Sequence, residues 1–302
     1  MQRISLNLNQ VKRQLMFKAS LACLILFSVQ YACAQPGTEV YLFDLKEFDG
    51  ELKLSDPKNV SNNPGYDNQP SFTKDGRYLL YSSLKGDQTD IIRFDLIRGT
   101  RTTITNSPGS EYSPTETPDG KYISTIILKK SGEQLLWKYP LEGGKPEIVV
   151  PDLVIGYHCW LNKKILYSFV LGEPPTLQLC NTKSGDLTVL SDNIGRSIQK
   201  VPGQNKISFV QKNDNSPWLI MSHSIKKGTE LITNTVENSE DFTWTPNGAI
   251  IMGDQSKLYV YDTKLPKAEW VEFADLSVYS LSDITRLAIA PNGRFMAVVV
   301  SE

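Results

Sequence analysis

Cysteine and histidine are scarce in this chain of 302 residues, which contains four cysteines and two histidines. Cys23 and Cys33 fall within the first 34 residues, so Cys159 and Cys180 are the pair left in the rest of the chain. One pair cannot form the framework of a disulfide-stapled domain. The repeat described below places Cys159 and Cys180 on strands that are not neighbours, which favours two buried free thiols over a bridge.

Acidic residues are absent from the first 34 residues, which instead carry four basic ones, Arg3, Lys12, Arg13 and Lys18. The apolar run 19–29 follows, and Ala32-Cys33-Ala34 comes after it. This order is typical of a secretory signal, so we expect residues 1–34 to be removed by cleavage before Gln35. The run is shorter than the 20 or so helical residues that cross a bilayer. We therefore predict a periplasmic or secreted protein that is not an integral membrane protein.

The catalytic and cofactor motifs with a well-understood mechanism are also missing. The sequence has no Gly-x-Ser-x-Gly, no His-Glu-x-x-His, no Cys-x-x-Cys and no glycine-rich phosphate loop. Residues 35–302 carry 28 basic and 33 acidic side chains, a net charge of −5. Nucleic acid and anionic membranes attract basic surfaces, so both are poor candidate partners on this measure. We predict no cofactor, no metal site and no catalytic residue.

A repeat of about 44 residues organises what is present. Its turn glycines are Gly76, Gly120, Gly248 and Gly293, and their spacings are 44, 128 and 45 residues. Because 128 is close to three periods, two weaker copies are expected between them, and strand-turn-strand patterns begin there at Tyr157 and Ile198. A third and a fourth short strand follow in each copy. Four strands per period of 40 to 45 residues is typical of a propeller blade.

The number of copies predicts a closed ring. Six copies of about 44 residues account for nearly all of residues 35–302. The segment that begins at Glu39 has the pattern of a third strand, and the last segment, from Thr285, ends as a second strand. We therefore predict an all-β, six-bladed β-propeller of four-stranded antiparallel blades over 35–302. Its N-terminal strands should pair with its C-terminal strands, which removes open sheet edges.

The segments YDNQPSFTKDGRYLLYSS and DFTWTPNG resemble the WD40-like (PD40) repeat of the TolB-like propeller family. The resemblance extends over 35–302 as a pattern. It implies an exported protein-binding platform, with an envelope protein or a cell-wall fragment as the partner. The first blade strand begins almost at Gln35, so we expect no counterpart there of the α/β domain that the resemblance to the family would place before the propeller.

The binding site is expected where the loops before the inner strands meet, because these loops converge on one mouth of a propeller channel. The candidates, chosen by their position in the repeat, are Tyr66, Asp67, Gln69, Glu111, Tyr112, Tyr157, His158, Arg196, Glu240, Asp241 and Asp283. Two alternatives stay open. Acids at this mouth could serve a glycosidase or lyase, which needs paired carboxyl groups, or they could bind a small ligand or metal.

Overall fold

The computed structural model describes residues 37–48 and 51–302, and most of these residues form β-strands. The strands form six antiparallel sheets around one central channel. This confirms the predicted six-bladed β-propeller. Over the described ranges, no helix is long and apolar enough to cross a membrane. The predicted signal peptide, 1–34, lies outside the described residues.

The strands follow the predicted order, and we number the blades from the first one that is continuous in sequence. The first strands are β1 (Thr38–Phe48), β2 (Glu51–Leu54) and β3 (Lys58–Asn59), which belong to blade 6. Blade 1 contains β4 (Asp67–Phe72), β5 (Tyr78–Lys85), β6 (Gln88–Asp95) and β7 (Thr100–Thr103). Blade 2 contains β8 (Ser110–Glu116), β9 (Tyr122–Leu128), β10 (Gln134–Pro140) and β11 (Glu147–Val150). Blade 3 contains β12 (Ile155–Trp160), β13 (Ile165–Val170), β14 (Thr176–Asn181) and β15 (Leu187–Asp192).

The second half of the ring repeats the same plan. Blade 4 contains β16 (Ile194–Lys200), β17 (Ile207–Gln211), β18 (Leu219–Ser224) and β19 (Gly228–Asn234). Blade 5 contains β20 (Phe242–Trp244), β21 (Ala249–Asp254), β22 (Lys257–Asp262) and β23 (Val271–Asp275). A short 3-10 helix (Leu276–Tyr279) then leads to β24 (Arg286–Ile289) and β25 (Phe295–Ser301), which complete blade 6.

Blade 6 closes the ring with strands from both ends of the described chain. Its order is β2-β1-β25-β24, with β3 also paired to β1. The pairing of β1 with β25 runs antiparallel from Thr38 opposite Ser301 to Asp44 opposite Phe295. Val40 and Val299 face each other in this pair and are fully buried. The predicted closure is confirmed, and each half of blade 6 covers the edge that the other would leave open.

The turn between the first two strands of a blade is fixed by its own side chains. In blade 1, the Gly76 amide donates to the Thr73 carbonyl at 2.9 Å. The Asp75 carboxylate accepts from the Thr73 hydroxyl at 2.6 Å and from the Arg77 amide at 3.0 Å. Gly76 has a φ of +65°, a conformation that glycine adopts without steric cost. The Asp-Gly pair that recurs in the repeat therefore serves to fix the turn between the two strands.

The core is divided into clusters that join one blade to the next. Indole groups form part of these joints: Trp160 of blade 3 donates to the Ser124 hydroxyl of blade 2 at 2.9 Å. Trp244 of blade 5 makes the equivalent bond to Ser208 of blade 4 at 2.8 Å. Both tryptophans are 9% exposed. These contacts hold neighbouring sheets in register, since each buried N–H finds its partner on the other sheet.

The two cysteines of blade 3 are buried and free. Cys159 lies on β12 and Cys180 on β14, and both of these strands pair with β13. The two thiols therefore lie on non-adjacent strands, as the repeat predicted.

The ring has two distinct faces. Turns between the first and second strands, and between the third and fourth, lie at the same end of an antiparallel blade. We call this end the lower face; it includes segments such as 73–77 and 96–99. The other turns and the connections between blades form the upper face, which includes segments such as 60–66 and 86–87.

Candidate functional site

The inner strands of all six blades line one cavity of about 810 Å³. Each blade places one side chain at the upper end of this cavity. These six residues, which recur every 39 to 45 positions, are Gln69, Ser113, Tyr157, Arg196, Asp241 and Arg286. We call them the channel ring. Two arginines, one aspartate, one tyrosine and two uncharged polar groups thus meet at one level of the channel.

Local backbone distortions place some of these side chains. Gln69 and Ser113 have φ values of 57° and 54°, which non-glycine residues adopt rarely. Both lie where the register between the first and second strands shifts. The two are joined, because the Ser113 amide donates to the Gln69 side-chain oxygen at 2.8 Å. Such bulges turn a side chain away from the strand alternation and are frequent near functional sites.

Asp241 lies between two arginines. The Arg196 Nε donates to its Oδ2 at 3.0 Å, and Arg286 Nη1 donates to Oδ1. The side chains of Asp241 and Arg286 are each 13% exposed. Charge-assisted bonds at such low exposure are strong and geometrically specific. Burial alone lowers the pKa of Arg196, but the charges of Asp241 and Glu240 together raise it above its ordinary value.

One hydrogen bond crosses the channel. Arg286 Nη2 donates to the Tyr157 hydroxyl at 2.9 Å, and the guanidinium lies 5.0 Å from the centre of the Tyr157 ring. Arg286 belongs to blade 6 and Tyr157 to blade 3, which face each other in a ring of six. We call this contact the cross-channel bridge. It spans the upper end of the cavity, whose lining continues from there to the lower face.

Tyr66 and Tyr112 lie on the upper side and do not line the cavity. Their rings meet edge to face with centroids 6.1 Å apart. Burial, followed by the neighbouring Tyr157, raises the pKa of Tyr66. Of the three tyrosines that the repeat selected, Tyr66 and Tyr112 therefore form an aromatic pair, and only Tyr157 lines the channel.

Glu240 is held beside the channel ring without lining the cavity. Its Oε2 accepts from the Arg196 amide at 3.1 Å and lies 2.9 Å from Lys212 Nζ. The Lys212 ammonium in turn lies 4.5 Å from the centre of the Trp218 ring. These contacts fix Glu240 as a support for Arg196.

Asp67 and Glu111 are fully buried beside the second strands of their blades and do not line the channel. Burial raises the pKa of Glu111 to about 7 and that of Asp67 to about 6. Glu111 accepts hydrogen bonds from Ser107 and from Tyr139, the latter at 3.2 Å. The sequence placed both acids in the loops at the channel mouth, but the structure puts each on the first residues of an inner strand, within the protein.

His158 lines the channel and is 8% exposed. Its Nε2 lies 2.7 Å from the Ser124 hydroxyl, which also accepts the bond from Trp160. Burial lowers the pKa of His158 to about 3, so the imidazole is neutral at physiological pH. Ser124 is fully buried. This Ser–His contact therefore joins two blades, and its hydroxyl is not accessible to a substrate.

Asp283 is exposed in the segment after the 3-10 helix and has a φ of 53°. It does not line the cavity.

Arg286 and Ser113 were missed by the sequence reasoning. Arg286 occupies the repeat position of Asp241, 45 residues later, so a strict comparison of positions would have found it.

The site has donors that suit anionic or hydroxyl groups. Among the described residues, no group of three or more histidine, cysteine, aspartate or glutamate side chains could hold a metal ion. The fold and the site together define a β-propeller with a polar ring across its channel.

No family model matches the chain, and no curated protein matches its sequence. Solved structures do match. A candidate TolB from Agrobacterium tumefaciens has a TM-score of 0.66 and 14% identity, over 89% of this chain and 99% of that one. A chain in a nidogen/laminin complex has a TM-score of 0.62 and 12% identity, over 84% and 98% of the two chains. A gluconolactonase from Xanthomonas campestris has a TM-score of 0.60 and 8% identity, over 89% and 98%. These likenesses show a TolB-like propeller fold.

Proposed function

We propose that this propeller is an exported, non-enzymatic recognition scaffold of the cell envelope. Its ligand, a segment of an envelope protein or a cell-wall fragment, binds in the central channel. The observation that carries this proposal is the channel ring, in which six blades each contribute one side chain at the same level. A rigid closed ring presents such groups at fixed positions, and preorganised polar groups favour specific binding.

The charges of the ring favour recognition over acid–base catalysis. Asp241, the one carboxylate in the ring, is neutralised by Arg196 and Arg286. Glycoside cleavage by the common mechanism needs two carboxyl groups facing one bond. Of the other acids considered for such a pair, Asp67 and Glu111 are buried outside the channel, and Glu240 is paired with Arg196 and Lys212.

The structural neighbours leave both classes of function open. A nidogen/laminin complex is an assembly of proteins, whereas the gluconolactonase is an enzyme. The propeller fold occurs in both binding proteins and enzymes, so the function has to be inferred from the residues of the site. A carbohydrate-active enzyme or a small-ligand binder is therefore the alternative to a recognition scaffold.

The test is retention of envelope components by the immobilised propeller, residues 35–302, followed by elution and identification. Arg286→Gln removes the cross-channel bridge and one of the two arginine ion pairs of Asp241, so we expect this variant to lose the ligand. Glu230→Gln, on the exposed outer strand β19, is the matched control and should retain it.

The same preparation is then incubated with a panel of lactones and polysaccharides. Product formation that Arg286→Gln abolishes would replace the scaffold proposal with the enzyme alternative. A retained component that is indifferent to Arg286→Gln would place the binding surface away from the channel ring.

A further inference from the structure

The charges of the connecting segments are divided between the two faces of the propeller. Over the described residues, segments between strands on the lower face carry fourteen lysine and arginine side chains and five carboxylates. Those on the upper face carry three basic side chains and ten carboxylates. The net charge of −5 for residues 35–302 averages over these opposite faces.

Exposed apolar side chains stand at the tips of the outer turns on the same basic face. Ile97 is 82% exposed in the turn of blade 1, Ile225 is 54% exposed in blade 4, and Leu265 is 58% exposed in blade 5. Phe48, beside the corresponding turn of blade 6, is 63% exposed, and Leu141 in blade 2 is 41% exposed. Five of the six blades thus place a large apolar group at the rim of the lower face.

Basic residues flank three of these tips in the sequence, whereas Phe48 lies between Glu47 and Asp49 and Leu141 precedes Glu142. Arg98 follows Ile97, and Lys226 and Lys227 follow Ile225. Lysines precede and follow Leu265 by one or two positions. The three apolar tips that lysine and arginine flank suit the boundary of an anionic bilayer, where the ammonium and guanidinium groups meet phosphates and the apolar groups enter the acyl region.

The upper face provides an internal comparison. Val154, Leu171 and Val278 are also exposed there, between 46% and 76%. Carboxylates lie near two of them in the sequence: Asp152 is two positions before Val154, and Glu173 is two positions after Leu171. An anionic surface would repel this face, so apolar exposure alone does not single out a membrane-facing side.

We propose that the lower face docks peripherally on an anionic lipid surface, with the tips of its outer turns inserted and its lysines against the headgroups. The propeller axis would then stand across the membrane plane. The lower mouth of the channel, where Lys74, Lys163 and Lys200 line the opening, would face the lipid. The cross-channel bridge and the acidic upper face would point away from it.

The test is co-sedimentation of residues 35–302 with phosphatidylcholine vesicles that contain or lack phosphatidylglycerol. Residues 37–48 and 51–302 contain the strands of all six blades, and this form keeps the apolar run 19–29 out of the assay. The variant Lys226→Gln with Lys227→Gln removes two charges from the lower face. Lys129→Gln with Lys130→Gln removes two neighbouring charges from an upper-face turn and is the matched control.

We expect binding to the anionic vesicles only. It should weaken about fivefold for each lysine removed from the lower face, hence about 25-fold for the pair, and should not change in the upper-face pair. Ile225→Ser should weaken binding about tenfold, and Leu171→Ser should leave it unchanged. Melting temperatures of the four variants show that each remains folded.

Three results would overturn the proposal: equal loss in both lysine pairs, equal binding to both kinds of vesicle, or no binding to either. Retention on an immobilised acidic polypeptide without vesicle binding would assign the lower face to an acidic protein instead. Vesicle binding is measured without any channel ligand, so its failure leaves the recognition proposal untouched.

Discussion

Glu111→Gln should stabilise the propeller at pH 8 and have little effect at pH 5. Glu111 is fully buried, and burial is the largest influence on its carboxyl group, whose pKa rises from 4.5 to about 7. The hydrogen bonds from Ser107 and Tyr139 act in the opposite direction without reversing it. Between pH 4.5 and 7 the folded state therefore binds more protons than the unfolded chain, so stability falls as pH rises through this window.

The size of the effect follows from the same pKa difference. A difference of one pKa unit corresponds to about 1.4 kcal/mol, so ionising Glu111 makes folding less favourable by about 3 kcal/mol above pH 7. Glutamine has the same shape, accepts the bonds from Ser107 and Tyr139, and can donate toward Thr105. The gain at pH 8 corresponds to a rise in melting temperature of roughly 6 to 10 °C for a domain of this size.

The assay is denaturant unfolding of both proteins at pH 5 and pH 8, with Glu230→Gln as the control for an exposed glutamate. The control should unfold like the parent at either pH. If Glu111→Gln were destabilising by the same amount at both values, the carboxylate would be ionised throughout and its hydrogen bonds would outweigh its burial. The reasoning from burial would then be refuted.

Three further outcomes are expected. Asp241→Asn removes the carboxylate that Arg196 and Arg286 share, leaving Arg196 with Glu240 and Arg286 with none, and should lower the free energy of unfolding by about 3 kcal/mol, as measured in denaturant. Tyr157→Phe removes the hydrogen bond from Arg286 but keeps the ring beneath the guanidinium, so a loss of about 1 kcal/mol is expected in the same measurement. Cys159 and Cys180 are buried, and burial raises the pKa of Cys159 to about 12, so a thiol reagent at pH 8 should modify both only after unfolding.

The sequence predicted the architecture because repetition multiplies weak signals. A single Asp-Gly between two apolar strands is a common hairpin, whereas glycines at 76, 120, 248 and 293 specify a period. The pattern at Glu39 supplies a third strand, and the pattern that ends near residue 301 supplies a second strand, so each half provides the strands that the other lacks to make one blade. Ring closure through β1 and β25 follows from that complementarity, and the structure has it.

The site was predicted less well because it depends on single-residue shifts within strands. A strand alternates its side chains between two faces, so one extra residue exchanges them. The bulges at Gln69 and Ser113 are of this kind, and they leave Asp67 and Glu111 buried while neighbouring residues line the channel. Nothing in the repeat pattern marked these bulges, since neither residue is a glycine. Position in the repeat was sufficient for Tyr157, Arg196 and Asp241, which line the channel as expected.

Charge is the property for which composition was least informative. A net charge describes the whole chain, whereas a partner meets one face of it. In an antiparallel meander the connecting segments alternate between two ends, so the sequence itself assigns each turn to a face once the strands are known. Counted in this way, Lys226 and Lys227 belong with Arg98 on one side, and Glu237 and Glu240 lie on the other. An overall excess of acid is therefore compatible with a strongly basic surface, and the anionic membrane that composition disfavoured becomes the partner that the lower face fits best.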